Sequence, residues 1–168
     1  MVEKQTQHHL TIVGDSLGSS ISEGWTLWGA PMVPDNDSMA ENLDDDISGY
    51  WSTFDYVDNG YTYVGELKEA EGYWLASLEA AEIDVVGTPI ASDYTLSLSQ
   101  GWDLISNPLV LDVIVDSLVF TKDGGSKLFS DAVSEGWINT VYGYNGSGYE
   151  TSDMLSAWSG YWIAVLDS

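Results

Sequence analysis

The chain has no cysteine, and this absence excludes several kinds of site at once. Without thiols there is no disulfide framework, no thiolate nucleophile and no cysteine-based zinc site. Histidine is almost as scarce, since only His8 and His9 are present, side by side near the start. A histidine-based metal centre or a Ser-His-Asp relay elsewhere in the chain is therefore excluded.

Basic residues are also scarce. The 168 residues include 4 Lys and Arg and 27 Asp and Glu, which gives a formal net charge of −23. Nucleic-acid binding relies on Lys and Arg that neutralise phosphates, so nucleic acid is excluded as a partner and anionic membranes are poor ones. The acidic surface favours solubility. It fits either a high-salt environment or a surface that binds divalent cations.

Long apolar runs are also missing, since no stretch approaches 18 uninterrupted apolar residues and MVEKQTQHHL lacks the apolar core of a signal peptide. We expect no membrane insertion, and we expect any export signal to lie outside this sequence. Aromatic residues, by contrast, are abundant, with 8 Trp and 10 Tyr beside 17 Gly. That composition is typical of a folded protein rather than of a disordered acidic tail.

An internal repeat organises the chain. GWTLWGAP at 24–31 matches GWDLISNP at 101–108, GYWLA at 72–76 matches GYWIA at 160–164, and Gly60-Tyr61 matches Gly148-Tyr149. The first match is offset by 77 residues and the later ones by 88. The second copy therefore carries an insertion of about 11 residues, which we place around 121–134.

A further match sets the predicted boundaries, since LTIVGDS at 10–16 is similar to IDVVGTP at 83–89. We predict a first module at 1–88 and a second at 89–168, with turn residues between 88 and 93. Residues 1–16 are expected to include a strand that trails from a preceding copy. On this interpretation the sequence comes from a longer array.

Alternating patterns bounded by Gly, Pro, Asn and Asp predict an all-β protein of two tandem small modules, each an antiparallel β-sandwich or an open barrel. Asp58-Asn59-Gly60 and the segment 145–148 predict hairpins. Segments 38–46 and 111–118 leave open short helices, turns or, in the second, a buried strand. The predicted strands are 10–13, 24–28, 50–56, 61–64, 72–77, 83–86, 94–98, 102–106, 138–144, 149–151 and 160–166.

These motifs together resemble the tandem modules near the C-termini of large secreted bacterial proteins, often those exported by the type IX system. The shared pattern reads here as GWDLISNP, the aromatic hairpin 144–149, GYWIA and VVGTP. The sequence departs from it where Thr26 and Asp103 replace the usual Asn, and where the C-terminal sorting signal is missing. The resemblance implies a β-rich, non-catalytic accessory module of an extracellular or cell-surface protein, whose neighbouring domains are commonly hydrolases or adhesins.

The repeat also sorts the aromatic residues, because a residue present in both copies is most simply explained by their shared fold. That rule assigns packing in the core or between strands to four pairs: Trp25 and Trp102, Tyr73 and Tyr161, Trp74 and Trp162, and Tyr61 and Tyr149. It places Trp28, which is matched by Ile105, in the interior. Aromatics without an aromatic counterpart, or whose counterpart depends on where the gap falls, are the candidates to stack on sugar rings. The candidate ligand-binding residues are Trp51, Tyr63, Tyr142 and Trp158. For Trp158, packing onto the extra loop or the neighbouring module is the alternative.

The acidic residues invite two further hypotheses. Asp35, Asp37, Asp44, Asp45 and Asp46 lie in one loop region of the first copy and could supply the oxygen ligands of calcium, although EF-hand spacing is absent. A solvated acidic loop is the alternative. Paired carboxylates could also hydrolyse glycosides, yet 27 acids guarantee close pairs by chance. We therefore expect no catalytic residues.

The sequence thus predicts a non-catalytic accessory module of a larger extracellular protein, which binds a polysaccharide or cell-surface glycan through exposed aromatics. No cofactor other than calcium is expected. The alternative is an architectural spacer or a protein-docking or adhesion module with no small ligand. An acidic glycosidase is the weaker alternative.

Overall fold

The computed structural model describes residues 16–90 and 93–166. The protein is all-β, as predicted, with several antiparallel sheets and two short helices. Within the described residues, no helix has both the length and the apolar character needed to cross a membrane.

The first part of the described chain, residues 16–90, forms seven strands and one short helix. The helix begins after Ser38, whose hydroxyl accepts a hydrogen bond from the Glu41 N–H as an N-cap. The elements are β1 (Ser16–Ile21), β2 (Gly24–Trp28), β3 (Met32–Pro34), α1 (Met39–Leu43), β4 (Trp51–Val57), β5 (Gly60–Tyr63), β6 (Tyr73–Ser77) and β7 (Ala81–Pro89).

The second half forms eight strands, a helix and a 3₁₀ turn at Val115–Ser117. The segment where the repeat predicts an insertion carries the hairpin of β10 and β11 and the helix α2. The elements are β8 (Gly101–Ser106), β9 (Val113–Ile114), β10 (Val119–Lys122), β11 (Gly125–Leu128), α2 (Phe129–Ser134), β12 (Tyr142–Tyr144), β13 (Tyr149–Thr151), β14 (Met154–Leu155) and β15 (Gly160–Val165).

Two four-stranded sheets are built in the same way. One has the order β2-β6-β4-β5 and the other the order β8-β15-β12-β13. The strands that carry matching sequence motifs occupy matching places: the GW strands β2 and β8 lie at one edge, next to the GYW strands β6 and β15.

The two sheets face each other across an aromatic layer. Leu27 and Trp74 of one sheet and Leu104 and Trp162 of the other are buried together there. The opposite face of each sheet covers a separate core. The first core includes Trp28, Met32 and Val85 beneath β1, β7, β3 and α1, and the second lies among β9, β14, α2 and the β10–β11 hairpin.

Glycines let the backbones of the two halves approach closely. A Cβ on Gly72 would overlap the carbonyl oxygen of Ile105, and one on Gly160, the matching residue, would lie 3.1 Å from the Trp28 nitrogen. Gly72 also donates its N–H to the Leu104 carbonyl at 3.1 Å. The glycine of the GYW motif is therefore explained by this contact between the halves.

The tyrosine of the same motif ties down the preceding loop in both halves. The Tyr73 hydroxyl accepts a hydrogen bond from the Lys68 N–H at 2.9 Å, and the Tyr161 hydroxyl accepts one from the Ser156 N–H at 2.7 Å. Burial and the charge of Glu71 raise the pKa of Tyr73 well above its usual range. The prediction that both tyrosines are packing residues is confirmed, since both are buried.

Both predicted hairpins are present. Asp58 and Asn59 have φ of 53° and 60° between β4 and β5, the left-handed conformation that two-residue hairpins require. In the turn from β12 to β13, the Asn145 side chain accepts from the N–H groups of Ser147 and Gly148. The turn residues in the sequence therefore predicted both hairpins correctly.

One predicted strand is wrong. Residues 94–98 have no strand structure, although they alternate as a strand does. A strand needs a neighbour for its backbone groups, and within the described residues no ladder pairs with this segment. Predicted strand 10–13 lies outside the described residues. Strand β9 falls in segment 111–118, where a buried strand was one of the alternatives, and β1, β3, β10, β11 and β14 were not predicted.

Candidate functional site

The candidate site arises from the alternation of side chains along the two four-stranded sheets. On β2, Trp25 and Leu27 share a face, and the ladder places Phe54 of β4 beside Trp74 of β6 on that face. The second sheet repeats the arrangement with Trp102, Leu104, Tyr142 and Trp162. Each sheet thus presents an aromatic face to the other.

Ring contacts across the two sheets come in matched pairs. Tyr56 lies against Trp162 with ring centroids 4.8 Å apart, and Tyr144 lies against Trp74 at the same distance, both edge to face. Tyr56 corresponds to Tyr144 and Trp74 to Trp162, each 88 residues apart. The two ring pairs are therefore equivalent: in one the tyrosine comes from the first sheet and the tryptophan from the second, and in the other the roles are reversed.

Two aromatic recesses flank this contact. The one we call the Trp102 trough has a volume of about 420 Å³, and the one we call the Trp25 trough about 400 Å³. Both volumes fall in the range of small-molecule sites, about 300–1,000 Å³. The Trp102 trough is lined by Tyr56, Tyr61, Trp102, Tyr142, Tyr149 and Trp162. The Trp25 trough is lined by Trp25, Phe54, Tyr61, Trp74 and Tyr144.

Each trough combines a buried indole with a half-exposed one. Trp162 and Trp74 are 6% and 7% exposed, whereas Trp102 and Trp25 are 42% and 52% exposed. The exposed indoles pack edge to face on the buried ones, with centroids 6.2 Å and 5.9 Å apart. The buried ring holds the outer ring in place, so a flat aromatic face is kept open to solvent.

The Trp102 trough also holds a polar group without a partner. The indole Nε1 of Trp162 is buried, and no atom meets hydrogen-bond geometry with it. The Tyr149 hydroxyl is near enough for this indole to lower the pKa of Tyr149, but burial and the Tyr61 hydroxyl outweigh that and raise it.

The four candidate ligand residues lie in different places. Tyr142 lines the Trp102 trough, and the ladder pairs Tyr63, 64% exposed, with Phe54 of the Trp25 trough. Trp51 packs against the first core and donates its Nε1–H to Asp44 at 3.0 Å. Trp158 packs against the same core, with its ring 6.2 Å from that of Trp28. The structure thus brings one of the four into a trough and one beside a trough.

The rule that repeated aromatics are packing residues misses most of this site. Four of the repeated aromatics make the predicted packing contacts between strands but are not buried in a core, since 42–57% of each side chain is exposed: Trp25, Trp102, Tyr61 and Tyr149. A residue that is repeated in both copies can maintain their shared fold, but it can equally belong to a ligand site that is present in each copy. The available signal was the number of rings that alternation places on one face of each sheet.

The predicted calcium ligands are not brought together. Asp44 accepts the hydrogen bond from Trp51, and Asp46 accepts one from the Asp84 N–H at 2.7 Å. Two of the five predicted calcium ligands therefore accept hydrogen bonds within the fold. Across residues 16–90 and 93–166, no group of three or more His, Asp or Glu side chains is placed to hold a metal ion.

One acid near the sheet contact has a shifted pKa. Asp103 is half-buried, and its Oδ2 accepts the Ser99 N–H at 2.8 Å. Burial raises the pKa of Asp103, the charge of Asp55 adds to the rise, and the Ser99 hydrogen bond opposes it. The matching residue of the first copy is Thr26, which carries no charge.

We expect Asp103→Asn to raise the melting temperature at pH 7. Because the pKa of Asp103 is higher in the folded state than in the unfolded state, its ionisation favours unfolding. This cost is present above the folded pKa and disappears as the pH falls below the unfolded value of about 3.9. The gain in melting temperature should therefore vanish near pH 3.

Melting curves of wild type and variant at pH 7 and pH 3 check this prediction. Exposed Asp116→Asn is the control for the loss of one negative charge. Equal gains in melting temperature from the two variants would contradict the argument from burial.

The comparisons with known proteins do not identify a family. No family model matches the chain, and neither the curated proteins nor the solved structures contain a significant match.

Proposed function

We propose that this chain is a non-catalytic accessory module of a larger extracellular or cell-surface protein, and that it binds an uncharged glycan in its two aromatic troughs. The observation that carries the proposal is the pair of half-exposed indoles, Trp25 and Trp102, each supported from behind by a buried indole. The faces of sugar rings stack on such surfaces in the way that cations and bases do. The extracellular location rests on the resemblance to secreted bacterial modules.

The polar groups of the Trp102 trough suit a sugar. A pyranose ring presents C–H groups on its faces and hydroxyl oxygens around its edge, so it can stack on Trp102 while an oxygen accepts from a donor at the side. The hydroxyl of Tyr149, a lining residue that is 53% exposed, is such a donor. Ligand pockets commonly combine apolar walls with a few fixed polar groups.

Net charge narrows the glycan to uncharged kinds. A chain with a net charge of −23 repels uronic acid or sulfate polymers at low ionic strength. Residues that line the troughs are all aromatic, so stacking is the main contact they offer. Uncharged glucans, mannans and N-acetylglucosamine polymers meet both conditions.

The non-catalytic part of the proposal is supported by the same lining residues. Glycoside hydrolysis uses a pair of Asp or Glu carboxyl groups on either side of the scissile bond. Among residues 16–90 and 93–166, neither trough has Asp, Glu or His in its lining. The described lining residues therefore offer aromatic faces and hydroxyls rather than the paired carboxyl groups of a glycosidase.

An architectural role is the second candidate, and the buried layer between the sheets favours it. Leu27, Trp74, Leu104 and Trp162 fix the two halves to each other. In that role the aromatic rings serve only to hold the halves together, and the chain acts as a spacer or a protein-docking unit.

Affinity electrophoresis separates the two candidates. The protein is run in native gels that contain β-1,4-glucan, β-1,3-glucan, mannan or soluble chitin oligomers, with bovine serum albumin as a non-binding reference. Retardation in at least one of these gels is the expected result. Unchanged mobility in all of them contradicts the glycan proposal and favours the architectural role.

A further inference from the structure

The contacts between the two halves are reciprocal in the backbone as well as in the rings. Gly29 donates its N–H to the Trp158 carbonyl at 3.4 Å, and Ser106 donates to the Ala70 carbonyl at 2.9 Å. Ser106 lies 77 residues after Gly29, and Trp158 lies 88 after Ala70, so the two bonds join corresponding residues in exchanged roles. The antiparallel bridges Trp28–Ser159 and Glu71–Ile105 are related in the same way.

Such an exchange is the signature of a two-fold axis. In a two-fold interface, a residue of one half contacts a second residue of the other half, and the reverse contact also occurs. The hydrogen bonds, the bridges and the ring pairs of Tyr56 and Tyr144 all follow this rule. Within one chain, the two halves thus pack as the subunits of a symmetric dimer do.

The two troughs obey the same relation. The residues of the Trp102 trough map onto those of the Trp25 trough through the sequence offsets: Trp102 onto Trp25, Trp162 onto Trp74, Tyr142 onto Phe54 and Tyr56 onto Tyr144. Tyr61 and Tyr149 correspond to each other, and Tyr61 lines both troughs. The troughs are therefore two versions of one site, related by the two-fold axis.

We infer that the two troughs hold two separate glycan chains, related by the two-fold axis, so that one molecule of this protein links two polysaccharide strands. The inference rests on the proposed glycan binding. A glycan has a reducing and a non-reducing end, so it has a direction. A two-fold rotation reverses a strand that lies across the axis and carries a strand that lies along the axis to a parallel position beside the first. In either case one straight, unbranched strand cannot occupy both troughs in the same manner, whereas two strands related by the axis can.

The linking of polysaccharide strands follows from the presence of two binding sites on each protein chain. Each trough has its own pair of indoles, although Tyr61 lines both, so two short oligosaccharides should bind per chain. A long polymer with many binding segments is instead joined to other polymers at each protein molecule, because each trough takes a different strand. Removing either trough leaves binding through the other but ends the linking.

Two measurements with one set of variants test this. The first is calorimetric titration with the hexasaccharide of the glycan that retards the protein most in gels. The second is light scattering when the protein is mixed with the corresponding soluble polymer. The variants are Trp25→Ala and Trp102→Ala, with Tyr94→Ala as a control, because Tyr94 is an exposed aromatic that lines neither trough.

The expected results are two hexasaccharides per chain and strong scattering for the wild type and Tyr94→Ala. Each Trp variant should bind one hexasaccharide and lose the scattering. One bound hexasaccharide in the wild type, or scattering that persists in both Trp variants, overturns the inference while glycan binding stands. Absence of hexasaccharide binding in every protein instead overturns the proposed function itself.

Discussion

Gly72→Ala should lower the free energy of unfolding by about 2 kcal/mol or more, because the new methyl group has no space. The Cβ would overlap the carbonyl oxygen of Ile105, a backbone atom of β8 that cannot rotate away as a side chain does. The strands must then separate, which also weakens the hydrogen bond from Gly72 to Leu104. The loss corresponds to a fall in melting temperature of about 4–8 °C for a chain of this size.

Gly148→Ala is the matched control for this substitution. Gly148 belongs to the hairpin of β12 and β13, and no atom lies within 4 Å of its potential Cβ. Its melting temperature should stay within a degree or two of the wild type. Thermal unfolding followed by near-ultraviolet circular dichroism is the appropriate measurement, since Trp74 and Trp162 report on the contact between the sheets. Equal melting temperatures for Gly72→Ala and the wild type would contradict the close approach of the two halves.

Trp102→Ala should weaken glycan binding at its trough by about 10- to 100-fold. Stacking of a flat ring on an aromatic side chain contributes about 1–3 kcal/mol, and each 1.4 kcal/mol is tenfold in the dissociation constant. The side chain is 42% exposed, so its removal takes away ligand surface, and it also removes the ring contacts of Trp102 with Trp162 and Tyr142. Its indole is also the outer ring held by Trp162, and without it the trough loses one wall.

The measurement is a titration with hexasaccharide, together with a melting curve for each variant. Tyr94→Ala should bind as the wild type does. Trp158→Ala gives the opposite pattern, because Trp158 packs on Trp28: its melting temperature should fall while its affinity remains. An unchanged affinity in Trp102→Ala with a lowered affinity in Trp158→Ala would contradict the placement of the site.

Short-range chemistry in the sequence predicted the strands around the repeated motifs. The GW strand β2 and the strand β13 were predicted at their observed bounds, and the hairpins followed from Asp58-Asn59-Gly60 and from 145–148. These elements depend on alternation and on turn residues, which are local properties. The class of the fold followed for the same reason.

Pairing between distant segments was harder to predict. Residues 94–98 have the alternation of a strand but form no ladder with any described residue, and β1 lies where no strand was expected because β7 pairs with it. Alternation describes one segment, whereas a strand depends on two. The same limit applies to β3 and β9, which are only three and two residues long.

The site was missed for a related reason. The sequence shows that Trp25 and Trp102 are repeated, and repetition suggested packing in the core or between strands. Their exposure follows from the contact between the copies, in which Tyr56 and Tyr144 cover Trp162 and Trp74 and leave the outer indoles open. No pattern within one copy contains that contact.

The most direct test of the two-trough account is to follow the indole N–H signals of all eight tryptophans by two-dimensional ¹H–¹⁵N NMR during titration with the bound hexasaccharide. The account predicts that the signals of Trp25, Trp102 and Trp162 shift with ligand concentration, while those of Trp28, Trp51 and Trp158 stay in place. Shifts confined to Trp51 and Trp158 would contradict it, because those indoles pack against the first core and line neither trough.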